Sequence, residues 1–336
     1  MRRDVKRGSV RIGPADVGAR VVVRYRLDDG GATDVVGELT AAAPDGVTVQ
    51  PDAAPGVFVP AAAVVAAKTV PARTVTPSSA PEAVERVATL GWPGLETRRL
   101  GGWLLRAAGG FTRRANSALA TGDPGLPLDE ALDAVREFYA GRELPASIQI
   151  AVPLEGDRRW PDTSSRDLLA AIVERGWSVD EPTLFMTADL RAGVPNVDLP
   201  PGYEQVEASE PDEAWLGLYE YHDAALPPVA RAVMTAAPHQ VFTSVRTERR
   251  TVAVGRLAVA AGWAGVSAMQ VAADQQRRGL GRAVLAALLN RGRADGARFA
   301  YLQVMKDNTA ARRLYESVGF TTHHAYHYLK LPPTSA

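Results

Sequence analysis

The stretch that decides the fold runs from Val271 to Arg282 and reads Val-Ala-Ala-Asp-Gln-Gln-Arg-Arg-Gly-Leu-Gly-Arg. A β-type run, Val266–Val271, leads into it, and an amphipathic helix predicted over Gly281–Asp295 follows. The first turn of such a helix carries unpaired backbone N–H groups at the positive end of its dipole. Glycines allow close approach to this backbone, and neighbouring arginines add charge-assisted hydrogen bonds. The pattern therefore predicts an anion site suited to a pyrophosphate.

Two other glycine-rich phosphate motifs do not fit this stretch. A dinucleotide fingerprint needs three spaced glycines early in a βαβ unit, whereas this loop lies near the end of the chain. A P-loop needs Gly-Lys followed by Ser or Thr, which the sequence does not contain. Taken alone, the loop is also compatible with a strand–helix turn whose glycines serve only the backbone.

A second motif decides between these interpretations. A predicted strand, Phe299–Met305, precedes the pattern Asn308-x-x-Ala-x-x-Leu-Tyr-x-x-x-Gly-Phe320. This pattern resembles the last motif of the GCN5-related N-acetyltransferases (GNAT), and Gln276-x-x-Gly-x-Gly281 resembles the pyrophosphate signature of that family. The two motifs have the family's order and spacing and cover about residues 262–320. The resemblance implies a mixed α/β GNAT fold, in which helices flank a splayed mixed sheet.

The resemblance also implies acetyl-CoA as co-substrate, bound between the strand ending at Val271 and the strand Ala300–Met305. Main-chain groups of Met269, Gln270 and Val271 would meet the pantetheine and acetyl group, and Asn308 would bond the pantetheine arm. The residues implied for the pyrophosphate are Gln276, Arg277, Arg278, Gly279, Leu280, Gly281 and Arg282. No metal is implied, and the sequence shows no His, Asp or Glu cluster with ligand spacing.

Two residues are implied as catalytic. The Val271 N–H would polarise the thioester carbonyl, because an oxyanion develops there when an amine attacks directly through a tetrahedral intermediate. Tyr315 would protonate or stabilise the leaving thiolate, whose free pKa is about 8.5. Tyr315 is also compatible with a core aromatic packed beside Leu314. The general base stays open, since Trp263–Val271 contains no Asp, Glu or His.

The alternatives for the general base are a water chain, release of the substrate's own proton to solvent, and a residue of the predicted helix Trp215–Asp223. That helix carries Tyr219, Glu220, Tyr221, His222 and Asp223, for which a solvated helix face is the simpler explanation. Three side chains alternate on the last predicted strand, so that one face of it either lines the acceptor site or carries ordinary sheet aromatics. These are His324, Tyr326 and Tyr328.

The chain divides into three predicted folded segments. Residues 1–73 contain short β-type runs separated by turn signals and predict a small SH3-like β-barrel, followed by a linker at 74–81. Residues 82–195 and 196–336 share a strand–helix rhythm, and Leu169–Trp177 matches Arg312–Phe320 in ending a helix at Gly before an aromatic. We infer an internal duplication and a tandem GNAT arrangement, with two unrelated α/β units as the alternative.

The first copy of this duplication lacks the features that would bind the cofactor. Ile172 and Ser165 stand where the second copy has Tyr315 and Asn308. The loop Thr121–Pro127 carries an acid and a proline where a phosphate needs N–H donors and positive charge. Residues 82–195 are therefore predicted to be a degenerate GNAT-like unit, and 196–336 the catalytic domain.

Composition limits the partners and the compartment. The formal net charge is zero, with 38 basic and 38 acidic residues, which argues against a nucleic-acid substrate. The absence of cysteine excludes disulfides, thiolate metal sites and a cysteine nucleophile. No signal peptide is visible and no run approaches the ~20 apolar residues of a membrane span, so we expect a cytoplasmic protein without a membrane partner.

The resemblance to the GNAT motifs implies an N-acetyltransferase that acts on the primary amine of an unidentified small molecule or protein. One alternative is a protein lysine acetyltransferase whose barrel recruits the target. Another, from a different class, is a non-catalytic acyl-CoA-binding sensor. The sequence does not specify the acceptor or the oligomeric state.

Overall fold

The computed structural model describes residues 12–51, 56–70, 74–160, 164–219 and 226–331. The chain forms two compact units: a smaller one, residues 1–74 with 99–104 and 120–133, and a larger one, residues 75–98, 105–119 and 134–336. The helices are α1 Pro81–Gly91, α2 Leu128–Ala140, α3 Ser164–Val173, α4 Glu213–Leu218, α5 Ala230–Met234, α6 Leu280–Ala294 and α7 Thr309–Glu316. The strands are β1 Arg20–Arg26, β2 Ala32–Ala43, β3 Gly46–Gln50, β4 Val57–Pro60, β5 Val64–Thr69, β6 Glu96–Leu100, β7 Trp103–Ala107, β8 Ala118–Leu119, β9 Ser147–Val152, β10 Ser178–Val179, β11 Thr183–Asp189, β12 Glu204–Ala208, β13 Gln240–Arg246, β14 Thr251–Ala260, β15 Trp263–Val271, β16 Phe299–Met305 and β17 Thr321–Lys330.

The smaller unit is built on a five-stranded antiparallel sheet. Its strand order is β4-β3-β2-β1-β5, and alternate residues such as Val21 and Val23 of β1 are buried together with Leu39, Val49 and Val59. This period-two burial is the pattern on which the small barrel was predicted. The glycine at 37 is required by packing, since a Cβ there would lie 2.1 Å from the main-chain oxygen of Gln50.

The larger sheet carries both predicted GNAT-like halves. Its strand order is β12-β13-β14-β15-β16-β11-β17-β9-β8-β7-β6, with β10 pairing beside β17. The sheet is mixed, because β15 pairs with β16 in parallel and β8 pairs with β9 in parallel, while β13, β14 and β15 pair antiparallel. Among the described residues, no helix is long and apolar enough to cross a membrane.

The two halves exchange their last strands at the centre of this sheet. In each half a parallel pair encloses a helix (β8-α2-β9 and β15-α6-β16), and a second helix then leads to a final strand, β11 or β17. Strand β11 pairs antiparallel with β16 of the other half, and β17 pairs antiparallel with β9. The two final strands also pair with each other. This shared order of elements supports the predicted duplication. The strand exchange makes one sheet continuous across the predicted domain boundary at 195/196, and that boundary stays a prediction.

The sheet opens between β15 and β16, as the family resemblance implied. The two strands pair only from Trp263↔Phe299 to Gly265↔Tyr301, although β15 continues to Val271 and β16 to Met305. Helix α6 covers the sheet on this side, because its apolar residues join one buried cluster with side chains of β14 and β16. The open ends of two strands therefore lie beside the start of α6.

Two edge strands and one turn differ from the sequence prediction. Strands β6 and β12 were not predicted, because they lie at the two ends of the sheet, where exposed polar residues remove the period-two signal. The β-type run Arg113–Leu119 predicts a strand, which is wrong over most of its length because only Ala118–Leu119 forms one. The Asn116 side chain accepts from the N–H groups of Ala108 and Gly110 and donates to two carbonyls, which holds the preceding residues in a turn.

Candidate active site

The loop before α6 has the geometry of an anion site. Gly279 has a left-handed conformation with φ 82°, and α6 begins at the next residue. Among the described residues, no acceptor takes the N–H groups of Leu280, Gly281 and Arg282, as expected of a first helical turn. A Cβ at Gly279 would meet no heavy atom within 4 Å, so the space in front of this backbone is open.

The side chains of this loop divide into exposed and buried groups. Gln276, Arg277, Arg278 and Arg282 are exposed beside the first turn of α6. The Leu280 side chain is buried in the core, so this residue offers only its N–H group. The structure thus brings the predicted pyrophosphate residues together at one helix start, where three arginines add positive charge to that of the dipole.

A bulge in β15 was not foreseen from the sequence. Val254 pairs with Gln270 and Arg256 with Ser267, so that Ala268 and Met269 stand opposite Gly255 alone. Ala268 has φ 51°, a conformation that no local sequence signal indicates for an alanine within a strand. Such a bulge leaves main-chain groups outside the ladder and directs them elsewhere. These groups lie where β15 departs from β16.

The Val271 N–H faces the opening. The N–H of the next residue, Ala272, donates to the Val252 oxygen at 2.9 Å, on the β14 side. N–H groups alternate between the two sides of an extended strand, so the Val271 N–H points away from β14. Gln270 pairs with Val254 of β14. The described lining of the cavity that lies beside the opening includes neither Gln270 nor Val271.

A cavity of about 470 Å³ lies in the larger unit beside this opening. Residues of β15, β16 and β17 line it together with residues from several other segments. They are Val266–Met269 of β15, Leu302–Met305 of β16 with Asn308 and Tyr315, Tyr326 and Tyr328 of β17, and Trp92, Thr112–Arg114, Thr183 and Tyr219. Met269, Asn308 and Tyr315 of the predicted site therefore share one cavity.

Tyr315 lies half-buried on α7 with its ring against Phe320, at a centroid distance of 6.2 Å. Burial raises the pKa of Tyr315 to about 12, because the phenolate would lose its hydration. The phenol therefore stays protonated throughout the neutral range. Asn308 caps the same helix, with its side-chain oxygen accepting from the Ala311 N–H at 3.0 Å, which leaves the amide NH₂ as its free donor.

The three candidate side chains of β17 lie in two different environments. Tyr326 and Tyr328 line the cavity, whereas His324 is fully buried and lies 3.2 Å from a Glu85 oxygen and 2.7 Å from His323 Nδ1. Tyr219 also lines the cavity. Glu220, Tyr221, His222 and Asp223 lie outside the described residues. Within the described lining there is no Asp, Glu or His, so this lining offers no carboxylate or imidazole as a general base.

The histidine pair predicts an acid-sensitive stability. Burial, with help from neighbouring His324 and Arg159, lowers the pKa of His323 to about 3. In the unfolded chain a histidine has its ordinary pKa near 6.5, so the unfolded state binds a proton at this residue before the folded state does as the pH falls. Folding stability should therefore drop between about pH 6.5 and 3. One proton contributes at most about 1.4 kcal/mol per pH unit.

Urea denaturation of the protein and of His323→Gln between pH 5 and 7.5 checks this expectation. Gln keeps a donor and an acceptor but cannot titrate, so its free energy of unfolding should fall less steeply toward acid. Carboxylates titrate equally in both proteins and cancel in the comparison. Parallel pH dependences of the two proteins would contradict the assignment.

Comparison with protein families gives two matches along the chain. A family described as "Probable histone acetyltransferase Rv0428c C-terminal" matches residues 79–329, and one described as "Rv0428c N-terminal Sm-like domain" matches residues 15–68. A Mycobacterium tuberculosis protein named "Probable histone acetyltransferase Rv0428c" is 33% identical over 93% of this chain and 95% of its own length. The small β-barrel prediction is thus confirmed, in its Sm-like form.

Solved structures share the fold of the larger unit. A GCN5-related N-acetyltransferase from Kribbella flavida matches with a TM-score of 0.55 and 17% identity, over 75% of this chain and 95% of that one. A tandem GNAT protein from the clavulanic acid biosynthesis pathway matches with a TM-score of 0.50 and 16% identity, over 75% and 89% of the two chains. At these identities the likeness concerns the fold, and it confirms the predicted tandem GNAT architecture.

Proposed function

This chain belongs to the GCN5-related N-acetyltransferases, an acyltransferase family, and on that premise we propose that it transfers the acetyl group of acetyl-CoA to a primary amine. The observation that carries the proposal is the opening between β15 and β16. Near it are the N–H groups at the start of α6, which have no acceptor among the described residues, and beside it is a cavity that Tyr315 lines. We place the active site in the second GNAT-like half.

The start of α6 fits the diphosphate of coenzyme A. The N–H groups of Leu280, Gly281 and Arg282 have no acceptor among the described residues. Arg277 and Arg278 are exposed beside them, and the left-handed Gly279 leaves the approach free of side-chain atoms. Backbone donors, a helix dipole and guanidinium groups together provide what a diphosphate needs.

The opening fits the rest of the co-substrate. Strand edges that have lost their partner present main-chain donors and acceptors, which an amide-containing pantetheine arm can pair with. The Asn308 amide NH₂ lies in the cavity wall as a further donor. In this proposal Met269, Gln270 and Val271 offer their main-chain groups along the same edge.

The reaction we propose uses two kinds of donor. Acetyl-CoA supplies, when bound, an activated thioester whose carbonyl carbon accepts an amine. The Val271 N–H, which faces the opening, and the main-chain groups of the Ala268–Met269 bulge would stabilise negative charge on the thioester oxygen. Tyr315 would give its proton to the sulfur as the C–N bond forms and the C–S bond breaks. The proton lost by the amine returns to the phenolate or passes to solvent.

The scheme does not depend on a protein carboxylate as base. The amine must be neutral to attack, and the described lining contains arginines but no acidic side chain. Nearby positive charge disfavours an ammonium ion and lowers the pKa of a bound amine. The cavity would therefore favour the neutral, attacking form of its acceptor.

Free-thiol release from acetyl-CoA, measured with a panel of primary amines, tests this function. We expect release that depends on an amine and matches acetylated product mole for mole by mass spectrometry. Calorimetry with acetyl-CoA runs alongside. Binding of acetyl-CoA without any amine-dependent release above that of Tyr315→Phe would contradict catalysis and favour an acyl-CoA sensor.

A second candidate function is acetylation of protein lysines. It is favoured by the family description and by the relative's name, both of which read "probable histone acetyltransferase". In this version the Sm-like unit would recruit the protein substrate. Acetylation of intact histones or lysine peptides, with free small amines left unmodified, would select it over a small-molecule acceptor.

A further inference from the structure

We propose that the acetyl acceptor carries a carboxylate group that binds Arg114, so that the substrate class is amino acids and related carboxylated amines. The inference rests on the proposed function and specifies its acceptor. Arg114 lies in the turn that Asn116 holds, and its side chain lines the cavity. This places a guanidinium in the same space as Tyr315.

The charge of Arg114 is not neutralised by an acidic partner within the described residues. Its guanidinium lies 5.6 Å from the Trp92 ring centroid, and Tyr326 and Tyr328 line the same cavity. The buried Nε of Arg114 has no hydrogen-bond partner among the described residues. These aromatic neighbours are uncharged. A half-buried arginine with a buried, unused donor beside a cavity is suited to an anion from outside the chain.

The neighbouring arginine shows the opposite arrangement. Arg113 forms an ion pair with Asp180, which also binds the Lys330 ammonium at 2.8 Å. Its guanidinium lies against the Tyr328 ring. Of two consecutive arginines in one cavity wall, the structure therefore neutralises the first and leaves the second for a ligand.

A second cation, Arg256, strengthens the positive field around Arg114. Arg256 is 1% exposed and lies 4.8 Å from the same Trp92 ring. Its partners are the main-chain oxygens of Met234 and Gly91 and the hydroxyl of Ser267, a residue of the cavity wall, and none of these carries a charge. Two guanidinium groups thus share one aromatic ring without a carboxylate between them.

The part of the cavity around Arg114, where we place the acceptor, is separate from the proposed phosphate site. None of the residues 276–282 at the start of α6 lines the cavity, and Arg114 lies among Trp92, Tyr326 and Tyr328 instead. The arginine charge there is thus available to the acceptor. A planar guanidinium binds a carboxylate through two parallel hydrogen bonds, which would orient the amine as well as hold it.

The same field disfavours a strongly basic acceptor. A histone-type lysine lies among other cationic residues, and like charges repel in a low-dielectric cavity. A free amino acid brings one carboxylate with its amine and fits within a cavity of about 470 Å³. The charge pattern therefore favours a small carboxylated amine over a basic peptide.

Matched substrate pairs test the inference. Steady-state acetylation is measured for glycine, alanine and glutamate and for the α-amides of the same amino acids, together with a lysine-rich peptide. We expect kcat/KM for the acids to exceed that for the amides by about tenfold or more, as one buried charge-assisted contact allows. The amides have the more acidic ammonium groups, so amine protonation biases the comparison against this outcome.

Variants of Arg114 assign the preference to this residue. Arg114→Gln should raise KM for the acids about tenfold and remove the difference between acid and amide, whereas Arg114→Lys should restore part of it. The affinity for acetyl-CoA, measured by calorimetry, should stay unchanged in both and reports correct folding. The exposed Arg249→Gln is the matched control and should behave as the unmodified protein does.

A binding measurement without turnover completes the test. With coenzyme A present, N-acetylglycine should raise the melting temperature and N-acetylglycinamide should not. Equal acetylation of acids and amides, or equal effects of these two products, would overturn the carboxylate inference while leaving the acetyltransferase function in place. Failure of acetyl-CoA to bind would instead overturn the proposed function itself.

Discussion

Replacing Gly281 with Asp is expected to weaken acetyl-CoA binding by about 100-fold. The new carboxylate would stand in the first turn of α6, where we place the diphosphate. Two unit charges about 5 Å apart at an effective dielectric of about 20 repel by about 3 kcal/mol, and screening at this half-exposed position lowers that to roughly 2–3 kcal/mol. Each ~1.4 kcal/mol is a factor of ten in the dissociation constant.

The fold should tolerate this change, which makes the measurement interpretable. A Cβ at Gly281 would lie 3.5 Å from a Leu314 methyl and 3.6 Å from a Val271 methyl, both ordinary contact distances. An acidic residue in the first turn also stabilises a helix. Gly281→Asn has the same shape without the charge and should lose much less affinity. Calorimetry that gives equal dissociation constants for the Asp and Asn variants would remove the diphosphate from this position.

Replacing Tyr315 with Phe is expected to lower kcat by about 10²-fold, at the low end of the range for general acids. The Tyr315 ring is half-buried against Phe320 and the pKa of its phenol is raised to about 12, so it holds its proton at neutral pH and can donate to the sulfur. Phenylalanine keeps the ring packing and removes only the hydroxyl. The leaving thiolate would then depart without a positioned proton donor.

Three controls separate this catalytic role from a structural one. The dissociation constant for acetyl-CoA and the melting temperature should stay close to those of the unmodified protein. Activity of the unmodified protein should show no loss from tyrosine ionisation up to about pH 10, because the phenol titrates near 12. Unchanged kcat in Tyr315→Phe would make Tyr315 the core aromatic that its position beside Leu314 also allows.

Much of the second GNAT-like half was predictable because its signals are local. Gly279 must adopt a left-handed conformation before a helix, and the run from Gln276 to Gly281 encodes a loop whose N–H groups point outward. Asn308 is the kind of residue that caps a helix, and it does so for α7. Such features depend on neighbours a few residues away, so the sequence contains them directly.

The parts that were missed depend on distant neighbours. Strands β6 and β12 lie at the edges of the sheet, where neither face needs apolar residues. The bulge at Ala268 exists because β15 must leave β16 while keeping its pairing with β14. The turn at Thr112–Arg114 depends on the Asn116 side chain bonding back across several residues. A period-two pattern cannot distinguish these cases from an ordinary strand.

The sequence by itself determined the family and the strand–loop–helix motif on which we base the proposed anion site, because short motifs and helix ends are fixed by nearby residues. Only the tertiary structure decided which side chains line the cavity. It buried His324 beside Glu85, exchanged β11 and β17 between the halves, and brought Arg114 from the first half to the cavity of the second. Residues about 200 positions apart in the chain meet there through the packing of a whole sheet, which no local pattern records.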